Sequence, residues 1–338
     1  MRVLVTGANG FVASHLIPHL IERGFDVVGV DDDSKYGERQ PFAHEAYTHV
    51  RGSVLDESLL SGLMDGADYV VANAAAVGGL PYLTVNDGSV GLYNSGLTAA
   101  TLGAAIRYHE RTRGLKRYVA VSSSIVFAEA KTWPTPEGLE SKLPPPHLSY
   151  GMEKRAMETY VRAAGHHYGL PYTIVRPFNC VGTGETRAVR GFSRESGSVK
   201  LVMGHVIPDL IHKVLLGQAP LHILGDGQQR RHFTAAEDIA RGIAMAMTTE
   251  KGRGEDFNLS IEQSHSIIEV AEMIWRRMRP DVGFDVVFDP AIDGDVAQRS
   301  PSVSKAADLL NFRAEKQLSE VLDDLVPWVS NQFMEGRL

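Results

Sequence analysis

The sequence has a single cysteine, Cys180, so no disulfide can close within the chain, and a reducing setting such as the cytoplasm is expected. It has no basic excess. Its 34 Lys and Arg stand against 41 Asp and Glu, a formal net charge of −7, which argues against a broad surface for nucleic acid or anionic membrane. An anionic ligand must therefore be met locally, by a few arginines or by backbone amides. No apolar run approaches the roughly 18 residues of a membrane-spanning helix. The opening MRVLVTGANGF lacks a continuous apolar core and reaches glycine at its seventh residue, unlike a signal peptide. No G-x-S-x-G elbow occurs, and no repeat is visible. His15 and His19 lie four apart in HLIPH, but without a companion glutamate and with Pro18 between them, so no metal is expected.

What is present is an alternation of apolar runs and helical patterns. The 338 residues suffice for one large α/β domain or two unequal ones. Residues 2–7, 25–31, 46–52, 67–75, 116–124 and 171–177 read as strands, with long helices over 86–112 and from Tyr150 to about His167. Near-continuous apolar strands separated by helices imply a doubly wound parallel sheet covered on both faces, a Rossmann-type α/β fold. The second half is less regular. Helical patterns at 206–217, 235–248, 264–278 and 316–331, with short strands near 221–224, 255–259 and 284–288, suggest a smaller C-terminal α/β domain. The expected division is 1–177 for a dinucleotide-binding domain and 178–338 mainly for substrate, with 235–260 returning to the main sheet. Residues 183–200, rich in Gly, Ser and Arg, read as a surface loop.

The first chemical signal is TGANGFVAS (6–14), where Gly7 and Gly10 follow a strand and open a helix, with Ala13 in the third place. Glycines there let the backbone approach a pyrophosphate, and the helix N-terminus favours its charge. Asp31 ends the second strand, 24 residues after Gly7. A carboxylate at that point accepts from ribose hydroxyls and repels a 2′-phosphate, so NAD is favoured over NADP.

The second signal is SYGMEK, with Tyr150 and Lys154 four apart and hence on one face of a helix. An ammonium beside a tyrosine favours the phenolate, which makes it a candidate base. In a chain with 11 tyrosines that spacing alone is cheap. Position gives it weight: the serine run of VAVSSSIVF (119–127) ends the fifth strand, and one loop carries the chain from there to Tyr150. A serine hydroxyl can then bind the oxygen that Tyr150 deprotonates.

These segments together resemble the extended short-chain dehydrogenases, specifically the NAD-dependent epimerase/dehydratase family that acts on nucleotide sugars. The resemblance spans nearly the whole chain: TGANGF, Asp31, NAAA (73–76), the serine run, Tyr150-x-x-x-Lys154, RPFNCVG (176–182), HVIPDLI (205–211), LGDGQQRRHF (224–233) and SPSVSKAADLL (300–310). It implies that Tyr150 is the acid/base, that Lys154 holds the nicotinamide ribose and lowers the tyrosine pKa, and that Ser123, four before Phe127, completes the trio. It places Asn9, Phe11 and Val12, Ser53 and Val54, Ala74 and Ala75, and Pro177 at the cofactor. It places Ser124, Asn179, His205 and Val206 at the substrate, with Arg231 gripping the diphosphate and Arg299 as a second phosphate-side arginine. Arg187, Arg190 and Arg194 are further candidates for that charge, and the two long helices imply a homodimer.

The resemblance also bears on the reaction. Dehydratases of the family carry Asp-Glu just after the catalytic hydroxyl, decarboxylases a glutamate at the second position, and 3,5-epimerases a cysteine there. This chain has Ser124 and Ile125, and isoleucine moves no protons. The expectation is therefore an NAD-dependent epimerase at carbon 4 of a UDP-hexose or UDP-hexuronate, passing through a 4-keto sugar. A dehydratase or decarboxylase, a 2-epimerase and a one-way 4-ketoreductase remain as alternatives. A non-catalytic NAD-sensing protein would typically have lost the Tyr/Lys pair, which this chain keeps. Departures from the family pattern are Ser53 for an aspartate near the adenine, Phe127 for tyrosine, Arg230 and His232 flanking Arg231, Leu97 for glycine, and the loosely matching segment 77–88.

Overall fold

RVLVT, the opening run, forms a strand because its valines and leucine can be buried on both faces of a sheet. The computed structural model describes residues 1–186, 195–201 and 205–337. The first half runs β1 (Arg2–Thr6), α1 (Phe11–Glu22), β2 (Asp26–Asp31), β3 (Tyr47–Arg51), α2 (Glu57–Met64), β4 (Tyr69–Ala72), α3 (Leu80–Val85), α4 (Asp87–Thr112), β5 (Arg117–Val121), α5 (Ser149–Tyr168) and β6 (Tyr172–Pro177). The second half continues with β7 (Glu195–Ser196), β8 (Val199–Lys200), α6 (Val206–Leu215), β9 (Leu221–Leu224), β10 (Arg230–Arg231), α7 (Ala236–Thr248) and β11 (Asp256–Leu259). It ends with β12 (His265–Ser266), α8 (Ile267–Met278), β13 (Val286–Asp289), α9 (Ser304–Leu310) and α10 (Leu318–Met334).

Seven parallel strands form the central sheet in the order β11-β6-β5-β4-β1-β2-β3. Alternate side chains of β1 go to opposite faces, as strand geometry requires. Val3 and Val5 pack with Leu16 of α1 and Ile243 of α7, whereas Leu4 joins Met157 and Val161 of α5 on the other face. The doubly wound α/β fold expected from the sequence is the fold observed. The strand order reverses on either side of β1, and the carboxyl ends of the strands open there into a crevice, the place where such sheets bind ligands.

After β6 the chain builds a second core from Ile207 and Ile211 of α6, Ile223 of β9, Trp275 of α8 and Leu322 of α10. Within this half, β11 pairs in parallel with β6, and Ile239 and Ile243 of α7 pack in the core that holds α1. Residues 195–200 are the short hairpin β7–β8. Arg187, Arg190 and Arg194 lie outside the described residues. Segment 77–88, read only as a loop matching its family loosely, contains α3. Pro81 sits in the first turn of that helix, where a missing N–H costs nothing.

Candidate active site

One cleft of about 700 Å³ runs from the glycine turn after β1 across the strand ends into the second half, and every described site residue singled out in the sequence lines it. At one end Gly7 has φ +69°, and a Cβ there would stand 2.8 Å from Ala74 Cα. Only glycine permits both the left-handed backbone and that approach. The Gly10 amide donates to the Gly7 carbonyl at 3.0 Å and turns the chain into α1, whose first turn carries no acidic residue. These are the features of a pyrophosphate cradle.

Asp31 stands at the end of β2, its carboxylate accepting from the amides of Asn9 at 2.9 Å and Asp33 at 2.8 Å. Burial raises its pKa, with those two amides acting the other way. Ser53 and Val54 follow β3 along the same wall, and Ala74 and Ala75 follow β4. A dinucleotide therefore fits this half of the cleft, with its phosphates at the glycine turn and a ribose at Asp31.

Ser123, Tyr150 and Lys154 are brought together beyond the end of β5. Ser123 is the N-cap of a short 3₁₀ turn and accepts the Ile125 amide at 3.3 Å. Tyr150 is in the first turn of α5 and is buried with Ile125, Leu83, Val90 and Leu148. That burial pushes its hydroxyl above the ordinary range; the charge of Glu153 adds to the shift, and the Ser123 hydroxyl opposes it. This corrects the expectation that Lys154 lowers the tyrosine pKa. The Lys154 amine is directed at the Val121 carbonyl, 3.2 Å away, and stands 5.7 Å from the centre of the Tyr150 ring. Desolvation is the largest influence on Tyr150.

A buried ionic network fixes the helix that carries Tyr150 and Lys154. Glu158, one turn beyond Lys154, accepts from Arg176 Nε at 2.7 Å and Nη2 at 2.6 Å, and from the Ser122 hydroxyl at 2.6 Å. Arg176 also meets Asp256 of β11 at 2.7 Å and Glu140 at 3.1 Å. Burial opposes the guanidinium charge of Arg176, but the three carboxylates outweigh it and raise its pKa. Paired in this way, the charges hold α5 against β5, β6 and β11, although Arg176 Nη1 and Glu140 Oε2 have no hydrogen-bond partner among the described residues.

Toward the second half, Asn179 holds φ +36° and donates from Nδ2 to the His232 carbonyl at 3.3 Å. His205 caps α6 and pairs through Nδ1 with Glu185, and Val206 opens that helix, partly exposed. Arg231 is held by Asp295 at 2.5 Å and by the Val296 carbonyl at 2.7 Å. Arg299 lines the same cleft between Arg231 and the serine run. Its Nη1 reaches Ser124 Oγ at 3.5 Å, next to Ser123, and its buried Nε has no partner among the described residues. Burial, reinforced by the nearby Arg231 charge, works against its own. The site thus offers a protonated phenol, an amine and a serine at one point, with two guanidinium groups beyond it.

Several cleft residues escaped sequence reasoning, among them Lys35, Tyr36, Leu80, Tyr82 and Glu185. The signal for Lys35 was available: it is a lone cation in DDDSKYG, four residues after Asp31. Glu185 had no local signal, because its partner His205 is 20 residues away.

Residues 3–260 match the NAD dependent epimerase/dehydratase family. The chain is 30% identical, over 97% of its length and 97% of the relative's, to a UDP-N-acetyl-alpha-D-glucosaminuronate decarboxylase of Bacillus cytotoxicus. It is 27% identical to a putative UDP-glucose 4-epimerase of Methanocaldococcus jannaschii, over 97% of this chain and 98% of that one. Among solved structures it resembles the UDP-glucuronic acid 4-epimerase of Bacillus cereus in complex with UDP-glucuronic acid and NAD. That likeness has a TM-score of 0.80 and 25% identity, covering 98% of this chain and 99% of the other.

Proposed function

The chain belongs to the NAD dependent epimerase/dehydratase family, and on that premise we propose that it is a nucleotide-sugar 4-epimerase that works with resident NAD. The observation that carries this reading is the environment of Tyr150. The two residues after Ser123 are Ser124 and Ile125, and Ile125 belongs to the same buried apolar cluster as Tyr150. A single acid/base group suits an epimerisation at a carbinol carbon; expelling water calls for a second.

When bound, NAD takes up and returns the hydrogen on carbon 4, so the reaction needs no external oxidant. Tyr150, in its phenolate form, accepts the proton of the 4-hydroxyl and later gives it back. Ser123 holds the same oxygen, and Lys154, anchored at Val121, has protons left for the nicotinamide ribose. Asn179 and Ser124 orient the sugar, and Arg231 meets the diphosphate charge, which a protein of net charge −7 has to answer locally.

Arg299 narrows the sugar. A guanidinium beside Ser124 with an unpartnered Nε suits a carboxylate on carbon 6, so a UDP-hexuronate is favoured over a neutral hexose. This also supports a second reading. Oxidation at carbon 4 of a hexuronate places its carboxylate β to a ketone, and such acids lose carbon dioxide readily. The Bacillus cytotoxicus relative carries a decarboxylase name.

No helix among the described residues is long and apolar enough to cross a membrane. Leu92 of α4 and Met152 and Tyr160 of α5 are exposed, which suits a homodimer through these helices. Residues 1–177 as the cofactor domain, 178–338 mainly as the substrate domain and a cytoplasmic setting belong to the same proposal.

The test is incubation of the purified protein, without added NAD, with UDP-, dTDP-, GDP- and CDP-hexoses and UDP-glucuronate, read by mass spectrometry and NMR. A new isomer of unchanged mass is expected. Loss of carbon dioxide or water would replace the epimerase with a decarboxylase or dehydratase. Dependence on added NADH would make it a ketoreductase, and retained NAD with no turnover a sensing protein.

A further inference from the structure

Lys35 lines the cofactor half of the cleft but makes no ion pair among the described residues. It is half-buried, and its closest aromatic partner is the Tyr36 ring, 4.9 Å from its Nζ. Burial works against its charge, and only Glu185 and Asp31 act in its favour, through space. A desolvated ammonium without a carboxylate is a costly arrangement unless an anion completes it.

The surroundings identify the anion. Residues 183–186 of the second half lie across the start of α1: His15 Nε2 donates to the Thr183 carbonyl at 2.8 Å, and a Cβ on Gly184 would stand 3.1 Å from Ser14 Oγ. The same segment is held from the other side by Arg39, which donates to the Gly184 carbonyl at 3.2 Å and to the Thr186 hydroxyl. Arg39 in turn lies 3.9 Å over the Tyr36 ring. The chain of contacts runs from α1 through 183–186 and Arg39 to Tyr36 and Lys35. Asn9 of the glycine turn donates to Asp31 and Asp33 in the loop that carries Lys35, so this series of contacts begins and ends beside that turn.

We propose that Lys35 grips the phosphates of the dinucleotide from the side opposite the glycine turn, and that the contact of Arg39 with Gly184 and Thr186 latches that grip. NAD is then held through turnover and is not exchanged. The inference rests on NAD occupying this half of the cleft and is independent of the reaction performed at Tyr150.

The test measures binding, not turnover. Cofactor content is measured after long dialysis, and affinities for NAD, ADP and adenosine are measured on stripped protein, for the native chain, Lys35→Met, Lys35→Arg and Arg39→Met. Lys35→Met is expected to weaken NAD and ADP by about 10- to 100-fold, the range of a lost charge-assisted contact, and to leave adenosine within about twofold. It should also reduce the dependence of NAD affinity on salt. Lys35→Arg should restore most of the NAD affinity, which excludes a mere folding defect. Arg39→Met should release NAD several-fold faster. Equal weakening of adenosine and NAD, or native NAD affinity in Lys35→Met, would overturn the proposal. A protein with no epimerase activity that still shows this pattern would leave it standing.

Discussion

Lys154 donates from its amine to the backbone carbonyl of Val121 at 3.2 Å, tying α5 to the end of β5 and not to the phenol of Tyr150. Burial keeps that phenol protonated, so the base form is scarce near neutral pH. Turnover is therefore expected to rise as pH rises from 6 to 9, by up to about tenfold per unit until another step limits. Lys154→Met should lower kcat by about 100-fold or more and weaken NAD. A flat pH profile in the native enzyme would contradict this reading of Tyr150.

In the proposed function the adjacent Ser123 and Ser124 have different tasks. Ser123 acts on the Tyr150 hydroxyl, whereas Ser124 meets Arg299. Ser123→Ala should reduce kcat by about 10- to 100-fold with little change in KM. Ser124→Ala should raise KM with kcat nearly kept. Steady-state kinetics with the substrate found by the panel distinguishes the two; the opposite split would reverse the assignment made from Phe127.

Arg299 is, on the same proposal, the residue that distinguishes a hexuronate from a neutral hexose. Arg299→Gln is expected to raise KM for UDP-glucuronate by about tenfold or more, as a lost charge-assisted contact would, and to change KM for UDP-glucose by less than about threefold. Equal effects on both sugars would return Arg299 to the diphosphate.

Asp256 gives a stability test. Burial disfavours its carboxylate, but Arg176, Lys305 and Arg162 outweigh burial and hold its pKa at about 2, below the ordinary 3.8. Between these values the unfolded chain binds a proton that the folded chain does not. The resulting stabilisation, about 2 kcal/mol, is complete above the unfolded value and is lost as pH falls through the folded one. Denaturant unfolding from pH 5 to pH 2 should show that loss. In Asp256→Asn the loss should be smaller, from a lower stability at pH 7.

The strands and the long helices of the first half were legible because each is long enough to show a period. β5 is five buried residues, and the helix read from Tyr150 to about His167 is observed from Ser149 to Tyr168. The strands that escaped are two-residue pairs such as β10 with β12, too short for any pattern. α3 was hidden because its six residues are too few to show a period and follow Gly78 and Gly79, although a proline in the first turn is compatible with a helix. The gathering of Tyr150, Ser123, Asn179 and Arg231 into one cleft was legible from motifs at strand ends. The partners that set their charge were not. Asp295 lies 64 residues from Arg231, and Glu158 gains its role only when β5, β6 and β11 meet α5. Arg176 was within a motif, but its full burial belongs to the sheet.

The central claim, that carbon 4 is oxidised and reduced within one site with a single acid/base, is tested most directly with UDP-glucuronate and UDP-glucose carrying deuterium at carbon 4. The protein is used as purified, with no added NAD. The expected result is a 4-epimer of unchanged mass that retains the deuterium at carbon 4, together with no product from Tyr150→Phe. Deuterium lost to solvent, or a product lighter by carbon dioxide or water, would contradict the account.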